Sequence, residues 1–352
     1  MPDGSLPARP LRDADALAGA GLVPPGDLPA LRAVAARYAV SVTPAMAALI
    51  DPADPADPIA AQYLPHPSEL DATAQELADP IADGPHTPVK GVVHRYPDRA
   101  LLKPLLACPV YCRFCFRREQ VGPAGGVLDE AELEAALDWF AANPGVREAI
   151  LTGGDPLMLS PRRLAHIVRR LSAMPHIGII RLHSRVPVAD PGRVTAALAE
   201  ALDTETALFL CLHANHAREF TDAARAALRR LSRAGVALLG QSVLLRGVND
   251  TAEAMEALLR TMLANRVKPY YLHQLDRAPG TARFEVPIAE GRALLASLRG
   301  RLTGLAWPTY ALDLPEGQGK APIGPDFAER AEGGWRVRGP LGGEHFQADA
   351  AP

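Results

Sequence analysis

Six apolar runs of strand length, at 100–107, 148–152, 178–183, 207–213, 236–244 and 267–273, are separated by stretches of helical periodicity. Runs of this kind suit strands buried on both faces, and their alternation with helices predicts an α/β fold around a parallel sheet. The intervening segments carry their own signals. Leu133, Ala136, Leu137 and Phe140 recur at i, i+3, i+4 and i+7. Ser160-Pro161 reads as a helix start. So does Thr221, whose helix presents Ala224, Leu228 and Leu231 and is closed by Gly235. Asp250 is the expected cap of the next helix, which ends near Asn265. No Gly-x-Gly-x-x-Gly follows the first strand, which weighs against a dinucleotide-binding sheet. Polar residues sit at strand ends instead: Gly153-Gly154-Asp155, His183-Ser184-Arg185, His213, Gln241-Ser242, His273 and Asp276. In a barrel that face is where ligand sites are built.

The first strand runs straight into Cys108-Pro109-Val110-Tyr111-Cys112-Arg113-Phe114-Cys115. Three of the four cysteines thus fall within eight residues, as Cys-x3-Cys-x2-Cys. Structural zinc and ordinary ferredoxin clusters want four protein ligands. Two readings remain: a [4Fe-4S] cube with one iron open, or a zinc knuckle completed by a distant His or Cys. No fourth cysteine lies nearby, which favours the cube. Cys211 sits inside an apolar strand and reads as an inert core thiol. With Tyr111 and Phe114 interleaved, the segment resembles the radical S-adenosylmethionine (SAM) enzymes. That resemblance implies a partial (β/α)6 barrel and SAM chelated at the open iron.

Bulk properties narrow the partners. A net charge of −3, from 37 basic and 40 acidic residues, argues against nucleic acid or an anionic membrane. No apolar run approaches the ~20 residues of a membrane helix. Met1-Pro2-Asp3-Gly4 has no basic region before an apolar run, so no signal peptide is expected. A cluster needs a reducing compartment, so a cytoplasmic location is expected. Residues 1–85 read as a helical wrap without catalytic role, with helices expected over 28–38 and from Pro44, and a turn-rich linker at 51–58.

Two further segments carry chemistry. Leu151-Thr152-Gly153-Gly154-Asp155-Pro156 lets the backbone approach a ligand closely, or makes an ordinary turn. Lys320, on the glycine-bearing loop Gly317-Gln318-Gly319, can form a Schiff base with a carbonyl compound or be a solvated surface lysine. The order of motifs decides between such pairs. Arg95-Tyr96-Pro97-Asp98-Arg99, the cysteine triad with Arg117-Arg118, the Gly-Gly-Asp turn, His183-Ser184-Arg185, the segment from Gln241 to Asp250, Lys268-Pro269-Tyr270-Tyr271, and Asp313 ahead of Lys320 together resemble the lysine 2,3-aminomutase family over about 88–327.

The resemblance implies roles. Cys108, Cys112 and Cys115 hold the cluster. Gly153, Gly154, Asp155 and Gln241 contact SAM, and Lys320 is the catalytic lysine that carries pyridoxal 5'-phosphate. Arg95 and Arg99 are candidates for its phosphate. Arg117 grips the substrate carboxylate, while Asp276 and Asp313 receive the distal ammonium of lysine. It also implies three parts: an N-terminal extension over 1–90, a barrel over 91–305 and a cofactor-lysine segment with tail over 306–352. The expected activity is a 2,3-aminomutase that converts L-lysine to β-lysine, with a flavodoxin or ferredoxin as electron donor. Alternatives are the enzyme that makes β-lysine for elongation factor P, the same chemistry on another amino acid, and a non-catalytic metal-binding protein. His273 stands where the compared aminomutases carry Tyr, and no cysteine follows Cys211. No zinc is therefore expected, and a homo-oligomer stays open.

Overall fold

The computed structural model describes residues 7–71, 73–122 and 125–350. Nine strands form one sheet in strictly sequential order. They are β1 (Val92–Tyr96), β2 (Arg99–Leu105), β3 (Glu148–Gly153), β4 (Ile179–Ser184), β5 (Ala207–His213), β6 (Ala237–Val243), β7 (Lys268–His273), β8 (Thr309–Leu314) and β9 (Gly319–Pro322). Strands β2 to β8 run parallel, while β1 and β9 are antiparallel additions at the two edges. The six expected strands are β2 to β7. The seventh parallel strand, β8, escapes the sequence reading because its run is short and interrupted by Asp313. A second small sheet, β10 (Ala328–Ala331), β11 (Gly334–Arg338) and β12 (Glu344–Ala348), follows it.

The sheet curls into an incomplete barrel. Its outward residues, Leu102, Leu151, Leu182, Leu210, Leu238 and Leu272, pack with the crossover helices in one large hydrophobic cluster. Helix Glu130–Ala142 contributes the expected face of Leu133, Ala136, Leu137 and Phe140. Ser160 and Thr221 cap the helices that follow them. The helix Ala252–Ala264 is capped by Thr251, not by Asp250; Asp250 instead accepts from the Gly247 N–H at 3.0 Å. Both side chains favour that place, and the later residue has the extended backbone that a cap needs. Because successive strand residues alternate faces, the intervening positions line the inside: Lys103, Thr152, His183, His213, Gln241, His273 and Asp313. The barrel interior is therefore largely polar.

The N-terminal residues make a satellite core. Leu17, Leu31, Val42, Met46, Ile59 and Tyr63 pack with Val110 of the cysteine loop and Ala189 beyond β4. The stretch at 51–58 is turn-rich as expected, but it ends in buried Asp57, which caps Pro58–Tyr63 and pairs with Arg218 at 2.7 Å. The wrap also grips the cysteine loop through polar contacts. The Ser41 hydroxyl donates to the Pro109 carbonyl at 2.9 Å, and the Arg113 N–H donates to the Gln62 carbonyl at 2.8 Å. Fully buried Glu69 takes Arg113 Nε on both oxygens, at 3.0 and 3.1 Å, and Arg118 as well. Removing one partner of a buried ion pair leaves charge stranded in a medium that solvates it poorly. Glu69→Gln is therefore expected to cost about 3–5 kcal/mol, read as a lower denaturant midpoint at unchanged slope. A variant as stable as the parent chain contradicts the clamp.

Candidate active site

The expected site residues collect at the carboxyl ends of the parallel strands. The cysteine loop leaves β2, the Gly153-Gly154-Asp155 turn leaves β3, and Arg185 follows β4. Gln241 lies near the end of β6, beside His213 of β5 and Tyr271 of β7. Asp276 follows β7, and Asp313 in β8 lies directly opposite Lys320 in β9.

The three thiols share one buried space. Burial first, then Asp155 and the other two thiols, push the Cys108 thiol well up. Burial and Cys112 raise Cys115 to about 11. Thiols that oppose each other's ionisation gain most from a positive core set among them. Among the described residues, no three His, Cys, Asp or Glu side chains close on a single metal ion. Three thiols on one short loop, with no fourth ligand beside them among the described residues, fit an iron–sulfur core that leaves one metal corner open. Cys211, by contrast, is fully buried in β5, away from the loop, and burial raises it to about 11.

The turn after β3 abuts that loop. A Cβ on Gly154 would lie 2.3 Å from the Ala107 carbonyl oxygen, so only glycine allows this approach. The buried Asp155 carboxylate is already saturated. It accepts from the Leu157 N–H (3.0 Å), the Ser184 hydroxyl (2.8 Å), and the Arg185 and Val186 N–H groups (2.7 and 3.1 Å). It ties the end of β3 to the end of β4. Beside a SAM molecule, this turn offers backbone groups rather than a free carboxylate.

Opposite charges gather at two poles. At one, Asp83 lies among Arg117 (2.8 Å), Lys103 (3.4 Å) and Arg95 (3.7 Å). Burial opposes ionisation there, but Arg117, then Lys103 and Arg95, hold the Asp83 carboxyl down at about 2. One carboxylate against three cations leaves a positive excess. Arg117 spends only its Nε on Asp83; its Nη groups donate to no acceptor among the described residues. Arg95 also donates to the Ile81 carbonyl. Arg99 turns away from this group, pairing with Asp98 at 2.7 Å and lying 3.6 Å over the Tyr96 ring. The Tyr96 hydroxyl in turn accepts from the Lys320 N–H at 2.8 Å. Arg99 thus flanks the lysine, while Arg95 faces the Asp83 group.

At the other pole, the Lys320 ammonium pairs with Asp313, and His273 Nδ1 lies 3.7 Å from the same carboxylate. Gly319, at φ +100°, brings Lys320 in; a Cβ there would meet the Tyr96 hydroxyl at 2.8 Å. Burial works against ionised Asp313, yet His273 and Lys320 hold its carboxyl well below the usual range. Asp276 goes the other way. Burial and the Asp313 charge push it up to about 7, against Lys320, Arg117 and Arg95. That Asp276 responds to all four shows one electrostatic unit, reaching from the arginine after Cys115 to the C-terminal lysine. Inside it, Nε2 of His183 and of His213 are buried without a partner. Burial, then Arg181 and Lys320, depress His183 far below its usual range. Two unpartnered imidazole nitrogens on the inner face of the barrel are groups that a bound polar molecule could satisfy. Positive pole and lysine amine together fit a phosphate-bearing aldehyde cofactor. His216, by contrast, caps a short turn through Nδ1.

Asp83 and Glu69 were missed in the sequence, where both lie in the segment read as a passive wrap. Lys103 was missed too; its one signal was a charge interrupting an apolar strand.

A model of the radical SAM superfamily matches residues 102–260. An L-lysine 2,3-aminomutase from Clostridium subterminale is 39% identical over 288 residues, covering 82% of this chain and 69% of that protein. A second, from Acetoanaerobium sticklandii, is 38% identical over 82% of this chain and 70% of its own length. A glutamate 2,3-aminomutase from Clostridioides difficile is 33% identical, over 84% and 70%.

The raised Asp276 carboxyl sets a pH signature. The folded protein holds this proton between pH 4 and about 7, where an unfolded aspartate has lost it. Stability contributed by the group is therefore lost as pH rises through that window. Asp276→Asn is expected to flatten this fall, by at least ~2 °C in Tm across the window, in thermal melts of the cofactor-free chain. Parallel pH profiles for variant and parent contradict the assignment.

Proposed function

Because the chain belongs to the lysine 2,3-aminomutase family of radical SAM enzymes, we propose that it moves the α-amino group of L-lysine to C3, giving β-lysine. When bound, the [4Fe-4S] cluster and SAM supply a hydrogen-abstracting carbon radical, and pyridoxal phosphate supplies an electron-delocalising carrier for the migrating nitrogen. The protein's part is positioning, charge matching and exclusion of water.

The observation that carries the substrate reading is the pair of opposite poles. An α-amino acid offers a carboxylate to the two free Nη groups of Arg117, which suit bidentate binding. The distal ammonium of lysine then falls to Asp276 and Asp313. Those carboxylates repel each other, as the raised Asp276 carboxyl reflects, and a cation between them relieves that repulsion. An acidic head would meet the same pair unfavourably, which separates lysine from glutamate. Lys320 carries the cofactor, with Arg95 and Arg99 toward its phosphate end. Cys108, Cys112 and Cys115 hold the cluster, while Gly153, Gly154 and Gln241 lie toward SAM. Asp155 acts on SAM only through the turn it fixes. Residues 1–90 clamp the cysteine loop, and the barrel sheet continues past the expected boundary at 305 through β8 to β9, the strand that brings the lysine.

An external one-electron donor of the flavodoxin or ferredoxin kind completes the proposal, with the cytoplasm as its place. Among the described residues no helix is long and apolar enough to cross a membrane.

The test is an anaerobic assay of reconstituted protein with SAM, pyridoxal phosphate, a reductant and each of lysine, glutamate and arginine. Lysine is expected to give β-lysine, and the others little product. A charge-assisted hydrogen bond contributes about 1.5–3 kcal/mol. Asp276→Ala and Asp313→Ala should therefore raise the lysine KM roughly ten- to a hundredfold, with SAM cleavage altered far less. Equal losses in both steps contradict the ammonium role.

A further inference from the structure

Four arginines surround the cysteine loop, and they spend their donors differently. Arg113 and Arg118 bond Glu69, and Arg117 bonds Asp83. Of these four, Arg185 is the one that donates to a sulfur: its Nη1 lies 3.2 Å from Cys112 Sγ. Its backbone N–H is fixed by Asp155 at 2.7 Å, so the turn beside Cys108 sets where this guanidinium sits. Its Nη2 donates to Glu219 at 2.8 Å and Gln62 at 2.7 Å. Its Nε finds no acceptor although the residue is only 5% exposed. Glu219, fully buried, also accepts from the Asn215 and His216 N–H groups (2.8 and 2.9 Å) and the Tyr63 hydroxyl (3.3 Å). Its position is thereby fixed.

We propose that Arg185 is a positioning residue that sets the reduction potential of the cluster through its N–H···S bond to Cys112, and that Glu219 trims that effect from behind. The inference rests on the cysteine triad holding a cluster. Reduction adds one electron from the external low-potential carrier and changes no covalent bond in the protein. Hydrogen bonds and positive charge at ligand sulfurs stabilise the more negative, reduced state. Removing the Arg185 donor therefore lowers the potential. Removing the Glu219 charge leaves the guanidinium less compensated and raises it. A merely structural role predicts no such opposition of sign.

The experiment is a spectroscopically monitored redox titration of the full chain after anaerobic reconstitution, with iron and sulfide measured in each sample. Arg185→Lys keeps a charge but loses the planar fork. At a fixed solution potential it should lower the ratio of reduced to oxidised cluster about tenfold, equivalent to ~59 mV for one electron. Glu219→Gln should raise the same ratio. If Arg185→Lys fails to fold, the direction of the Glu219→Gln shift decides alone. Unshifted potentials, or shifts of the same sign, in variants with parental iron content overturn the proposal. No cluster signal in the parent chain overturns the reading beneath it and this proposal with it.

Discussion

Asp83 sits among Arg117, Lys103 and Arg95, and this unequal match shapes much of the barrel interior. The outer face of the sheet packs its leucines against the helices, leaving the inner face to carry charge. Charges inside a protein must find partners or neutralise themselves. At this pole one acid meets three bases, so an anion is invited. At the pole of Asp276, Asp313 and Lys320, two acids meet one base, and the invitation is to a cation. On the proposed function, this polarity of the barrel interior suits a long zwitterion with a second ammonium. The protein tolerates the cost of separated charge because covalently fixed elements hold each pole: β2 and the cysteine loop one, β8 and β9 the other.

The barrel could be read in the sequence because its strands are buried on both sides or carry recognisable end residues. Six of seven parallel strands stand out as apolar runs, and helix starts at Ser160 and Thr221 follow from local hydrogen bonding. Strand β8 hides because a strand that ends in a functional acid loses its apolar signature. The Lys320 loop is legible only through resemblance, since a lone lysine between glycines has no local signal of burial or partner. Contact between Asp313 and Lys320 depends on an antiparallel register that local periodicity does not encode.

The N-terminal segment shows the harder limit. Its prolines and exposed aspartates read as linker, and much of it is exposed. Yet Glu69 and Asp83 within it pair with three arginines of the cysteine loop. Nothing distinguishes these two acids from their solvated neighbours in sequence. What distinguishes them is separation in the chain: their partners lie 34 to 49 residues onward. Long-range ion pairs are set by topology, and a carboxylate carries no mark of which pairing awaits it.

His273 is where this interior departs most from the resemblance. The imidazole here lies 5.3 Å from the Tyr271 ring, tilted by 43°, with its Nδ1 3.7 Å from Asp313. Burial and then Lys320 lower its pKa, which favours the neutral ring. A neutral imidazole beside Asp313 adds no second full charge to the pole. The Asp313 carboxylate therefore keeps its negative charge for Lys320 and for an incoming ammonium. A tyrosine at this position would supply a broader ring and a hydroxyl displaced further from the backbone. A histidine thus offers less ring area than a tyrosine and places a nitrogen 3.7 Å from the acid, leaving the polarity of the barrel interior unchanged.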